Sequence, residues 1–172
     1  MEEPERASEA AAVRISPPMI PLVAVIAGSL LERWLPLGRW LGLEPEDAAQ
    51  GWALWQTVLH RVGEGQVVFA AILVLWAVVM LMRSGQDPRP ETPTPKILES
   101  GPFRLSRNPI YLAMVVFCLG FGLMEAKAWI LLLTPLVPWA LQRWAILPEE
   151  AYLEEKFGEP YRDYRQRVRR WL

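Results

Sequence analysis

Residues 108–147 read NPIYLAMVVFCLGFGLMEAKAWILLLTPLVPWALQRWAIL. Two apolar runs, 108–124 and 128–147, are parted only by Glu125-Ala126-Lys127 and carry a single charge between them, Arg143. A three-residue connection forces an antiparallel helical hairpin. At about 1.5 Å of rise per residue, each run approaches the ~30 Å thickness of bilayer hydrocarbon.

Outward from this hairpin, two more runs share its character: Ile15–Leu31 and Gly65–Met82 contain no charge at all. The four runs hold 72 of the 172 residues and one charge, while the other 36 charges fall in the remaining 100 residues. An amphipathic soluble helix would show a charge every turn or so. Segregation this sharp also excludes a disordered chain, and one domain of this size cannot surround four such helices with enough polar structure to keep them from water. The expected fold is all-α: a multi-pass membrane protein with four transmembrane helices, an interfacial helix and a cytoplasmic C-terminal helical tail. The segments divide as 1–14, an N-terminal tail; 15–82, two spans with the interfacial helix; and 83–172, a functional half built on the hairpin.

Lys and Arg set the orientation. Fourteen lie on the side that holds the N-terminus, the 83–107 loop and the tail, against Arg33, Arg39, Arg61 and Lys127 on the other. The positive-inside rule then places both termini in the cytoplasm, in a cytoplasmic or inner membrane. The acidic first residues, with Glu2, Glu3, Glu5 and Glu9, lack the basic character of a cleaved signal peptide, so the first span is expected to be retained. Ala48–Leu59, uncharged and carrying Trp52 and Trp55, reads as a separate short helix in the far interface. Asp87–Pro95 has four prolines and reads as extended chain. Pro135 and Pro138 predict a bend in the fourth span.

Past the hairpin, Pro148-Glu149-Glu150 suits the first turn of a new helix. Gly158 and Pro160 interrupt it before a basic stretch whose Tyr161, Tyr164, Val168 and Trp171 share one helical face. Its residues alone favour an amphipathic helix lying on anionic lipid. Chemistry is narrowed by elimination. There is no phosphate-binding glycine motif and no His/Cys cluster for a metal. The single histidine, His60, is expected on the opposite side from the loop and tail, and the single cysteine, Cys118, reads as packing. Carboxylates, arginines and tyrosines remain.

Two motifs in order around the hairpin, Ser100-Gly101-Pro102-Phe103-Arg104-Leu105-Ser106-Arg107-Asn108-Pro109-Ile110-Tyr111-Leu112 and Glu149-Glu150-x-x-Leu153-x-x-x-Phe157-Gly158-x-x-Tyr161-x-x-Tyr164-x-x-x-Val168, resemble the isoprenylcysteine carboxyl methyltransferase family of integral-membrane methyltransferases. The resemblance covers about residues 83–172. It implies a carboxyl O-methyltransferase-like enzyme that binds S-adenosylmethionine from the cytosol and methylates a lipophilic carboxylate, thiol or amine. By position it implies a cofactor wall of Gly101, Phe103, Arg104, Arg107, Asn108, Pro109, Tyr111 and Leu112. The facing wall is Glu149, Glu150, Leu153, Tyr161 and Tyr164. Glu150, Arg107 and Asn108 are expected at the reaction centre, and Lys156 and Arg167 toward a substrate carboxylate. Where many relatives have Arg-His-Pro, this chain has Arg107-Asn108-Pro109, whose asparagine can hydrogen-bond but not titrate. Expected partners are a lipid-like small molecule and membrane lipids, with no nucleic acid and no metal. The alternatives are a sterol-reductase-like enzyme using NADPH and a non-enzymatic lipid-binding membrane protein.

Overall fold

The computed structural model of the chain describes residues 16–41, 50–87 and 94–172. Every regular element among them is helical: α1 (Met19–Trp34), α2 (Leu37–Trp40), α3 (Gln50–Arg83), α4 (Pro109–Met124), α5 (Ala128–Leu133), α6 (Leu136–Leu141), α7 (Leu147–Phe157) and α8 (Glu159–Arg167). A 3-10 turn occupies Gly101–Arg104 and a π turn Gln142–Ile146. Among the described residues two helices are long and apolar enough to cross a membrane: Leu54–Arg83, and Ala128–Phe157, which α5, α6 and α7 make together with the π turn. With 34 residues, α3 is about 50 Å long and outruns the hydrocarbon layer. α1 and α4, at 16 residues each, reach only about 24 Å. Leu54, Phe69, Ile72 and Leu75 of α3 are exposed, the reverse of a soluble core helix.

The separate interfacial helix expected over 48–59 is not formed. From Gln50 onward that stretch is the first part of α3. Gly63 lies between it and the apolar run and Gly65 begins that run, and each glycine costs about 1 kcal/mol in a helix interior, too little to break it. Residues 1–15, 42–49 and the centre of the proline run, 88–93, lie outside the described residues.

The interruption expected from the prolines falls at Pro135, while Pro138 lies inside α6. The Pro135 ring would crowd the Leu131 carbonyl, and the chain turns through Thr134 and Pro135 between α5 and α6. Pro148 is accommodated differently. As expected of a helix start, it sits in the first turn of α7 with Glu149 and Glu150, but α7 follows the π turn directly, so the last apolar run passes helical into the tail. A π turn loosens the ladder just where Pro148 withdraws a donor from the carbonyl four residues back.

The described residues form two units. One gathers Pro18–Ile72 and Ala113–Trp139. It is built on close backbone approach: a Cβ on Gly63 would lie 2.5 Å from the Gly120 carbonyl oxygen, and one on Gly28 would lie 2.6 Å from Ile130 Cγ1. Small residues are what let helices meet this closely where lipid removes the hydrophobic drive. The hairpin connection closes with Lys127 N–H donating to Gly122 O (2.9 Å) and Ala126 at φ 52°, a helix-ending turn. Buried Glu32 accepts from the backbone N–H of Gly38 and of Trp129 (3.2 Å), tying α1 to α2 and to the start of α5.

The other unit gathers Leu73–Leu112 and Ala140–Leu172 and holds both motifs. Gly158, at φ 59°, ψ −124°, takes a conformation nearly reserved for glycine and folds α8 back onto α7.

Candidate active site

Three segments converge in this unit: the 101–109 loop entering α4, the first turn of α7, and α8 with the chain that follows it. Pro102 favours the 3-10 turn, Asn108 accepts at the head of α4 through its carbonyl (Leu112 N, 2.9 Å), and Pro109 fills the first helical position, where its missing N–H costs nothing. Ser106 Oγ accepts from Asn108 N (3.1 Å) and fixes the corner.

At the centre is Glu150, whose side chain is 9% exposed. Its Oε1 accepts from Arg107 Nη1 (3.1 Å) and Arg170 Nε (2.9 Å), and its Oε2 accepts from Arg170 Nη2 (2.7 Å). The Arg107 side chain is 8% exposed, and its Nη1 also donates to the Tyr161 hydroxyl (3.3 Å). Burial pushes the Tyr161 hydroxyl above the ordinary tyrosine range, with the Glu150 charge adding to it, and burial does the same to Tyr164. Both stay neutral at pH 7. The hydrogen bonds to Glu150 likewise raise the Arg170 guanidinium. The cluster therefore sets two cations against one carboxylate, and Arg107 Nε is buried with no hydrogen-bond partner. A buried charged donor left unspent is costly, and an arriving anion relieves it.

The structure brings Arg107, Asn108, Glu150 and Tyr161 together, with Pro109 and Tyr111 buried beside them in the chain. Tyr164 donates to the Phe103 carbonyl (2.8 Å) and packs against Tyr161 at 6.3 Å between ring centres. That contact overturns the lipid-facing tail: Tyr161 and Tyr164 are 2% and 4% exposed, α8 ends at Arg167, and Val168 is extended, so Trp171 does not continue a helical face. Gly101, at φ 60°, faces α3, where a Cβ would lie 3.1 Å from Met80 Cγ. Its lack of a side chain serves a turn and this packing. Leu112, Glu149 and Leu153 are half-buried, and Arg104 is exposed. Lys156 and Arg167 lie at the surface. Lys156 Nζ donates to Tyr152 Oη (2.9 Å) and Arg167 Nη2 to Glu99 (2.7 Å).

His60 belongs to the other unit, its Nδ1 2.8 Å from the Met124 carbonyl and its Nε2 3.3 Å from Glu64. A cavity of about 360 Å³ opens there beside His60, Arg61 and Leu131, and no motif residue lines it. Among the described residues no group of three His, Cys, Asp or Glu could hold a metal ion. Sequence reasoning missed Arg170. It stands twenty positions from Glu150 with no periodic relation to it, and only the Gly158 fold-back brings it near.

A family model described as phospholipid methyltransferase matches residues 58–160. A protein of Haemophilus influenzae, described only as uncharacterized, is 37% identical over 65 residues, which is 37% of this chain and the whole of that protein. No solved structure matches. The match spans most of α3, the 108–147 stretch and the Glu149-Glu150 turn, and it makes this chain a member of the phospholipid methyltransferase family, within the isoprenylcysteine carboxyl methyltransferase-like integral-membrane methyltransferases.

Proposed function

We propose that this chain takes a methyl group from S-adenosylmethionine and passes it to a lipophilic acceptor bearing a carboxylate, thiol or amine, with the carboxyl O-methyl reaction as the leading case. The observation that carries this reading is the unspent Nε of buried Arg107 in a cluster with excess positive charge. S-adenosylmethionine supplies a methyl on a cationic sulfur and brings a carboxylate and an ammonium for the protein to hold. Arg107 offers Nε to the carboxylate, a charge-assisted bond of the stronger kind. Glu149, in the same helical turn as Glu150, is the acid assigned to the cationic side. Glu150 holds Arg107 in place, and Asn108 and Ser106 fix the loop that carries it. Methyl transfer is an in-line displacement, so the residues' work is alignment and exclusion of water, and a carboxylate or thiolate acceptor needs no strong base. An asparagine at 108 therefore costs this chemistry nothing.

On the acceptor side, Lys156 and Arg167 are the assigned cations. Their exposed pairs are worth little in water and exchange readily. In this reading α1 and α4 complete a four-span bundle with the motif loop and tail in the cytoplasm. Membranes containing the protein, given methyl-labelled S-adenosylmethionine and a lipid extract, should pass label to the organic phase, and Arg107→Ala membranes should not. Absence of transfer by folded wild-type protein across extracts rich in lipid acids, thiols and amines counts against the reading.

A further inference from the structure

Beyond α8 Val168 is extended, and each of the next three residues is held by a hydrogen bond. The Arg169 carbonyl accepts from Arg107 N (2.9 Å). The Arg170 carbonyl accepts from Ser106 Oγ (3.2 Å) and Asn108 Nδ2 (3.0 Å). The Arg170 guanidinium grips Glu150 at both oxygens, and Trp171 Nε1 donates to Gln142 Oε1 (3.4 Å) in the π turn. One short strap thus fixes the Arg107 backbone with its own backbone and the partner of the Arg107 side chain with a guanidinium.

We propose that Arg170 is a positioning residue of the methyl-donor site: by occupying Glu150, it keeps Arg107 Nε free for the donor's carboxylate. The inference rests on the donor reading above. Hydrogen-bond capacity decides which partner Arg107 Nε takes. An unclaimed carboxylate beside a guanidinium closes the two-point fork that such groups prefer. Arg170 takes that fork, so Arg107 reaches Glu150 through Nη1 alone. Remove Arg170, and Glu150 regains two lone-pair sites against which Arg107 can close, spending Nε internally. The loss falls on the part of the ligand that carries a carboxylate.

The test compares two ligands by titration calorimetry in nanodiscs: S-adenosylhomocysteine, and 5′-methylthioadenosine, which shares the nucleoside and thioether but lacks the amino acid group. Loss of one charge-assisted bond corresponds to roughly a tenfold change or more. Arg170→Ala should weaken S-adenosylhomocysteine by that factor and leave methylthioadenosine within about twofold. Arg162→Ala, at an exposed arginine paired with Glu154 and Glu159, should change neither. Arg170→Lys keeps the charge with one donor and should give a smaller loss with the same selectivity. It decides the matter if Arg170→Ala does not fold. Equal weakening of both ligands, or an unchanged affinity for S-adenosylhomocysteine, overturns the inference while leaving the donor reading intact. A folded wild type that binds neither ligand overturns the donor reading and this inference with it.

Discussion

Glu32 and Glu150 are both acids near the ends of apolar helices, buried to 4% and 7% exposure, yet they are satisfied in opposite ways. Glu32 receives neutral backbone N–H groups from Gly38 and Trp129 and pins three helices together. Glu150 receives two guanidinium groups, one of which keeps a buried donor unspent. The first arrangement is closed. The second has charge and hydrogen-bond capacity left over, which is what a binding site for an anionic group needs. Burial alone does not separate the two acids; the identity of their donors does.

The comparison breaks most sharply at Glu150. Glu150→Ala leaves Arg107 and Arg170 without their anion, and stranding a buried charge costs about 3–5 kcal/mol. Thermal unfolding in detergent should show that loss together with abolished donor binding. A variant that binds as wild type would place Glu150 with the structural acids. Effects in the other unit should be smaller and confined to stability. Gly63→Val, which forces a side chain against the Gly120 carbonyl, should cost about 1–3 kcal/mol. Glu32→Gln keeps one acceptor oxygen and should cost about 1 kcal/mol. In both, donor affinity should stay within twofold of wild type, and a selective loss of affinity would blur the distinction between the two acids.

Much of this was legible in the chain itself. The turn at 125–127 was legible because three residues between two apolar runs leave room for little else, and Pro135 marked the break between α5 and α6 because its ring crowds the preceding helical turn. Both motifs fell in one unit. What escaped reading was long in range or permissive in chemistry. Gly63 and Gly65 did not end a helix, so a separate interfacial element became part of α3. The tyrosine face of the tail has the periodicity of a lipid-facing helix, and nothing in that spacing distinguishes lipid from Phe103 and Arg107. The Arg170 contact with Glu150 depends on a reversal at Gly158, which a sequence marks as a break without giving its direction.

The central claim is that Arg107 Nε receives the methyl donor's carboxylate. Arg107→Lys tests it most directly, because lysine preserves the charge facing Glu150 and removes the second N–H of the fork. Measured by calorimetry with S-adenosylhomocysteine in nanodiscs, wild type should bind, and Arg107→Lys should bind at least about tenfold more weakly with its melting temperature nearly unchanged. Equal affinity in the two proteins, or no binding by folded wild type, would contradict the account.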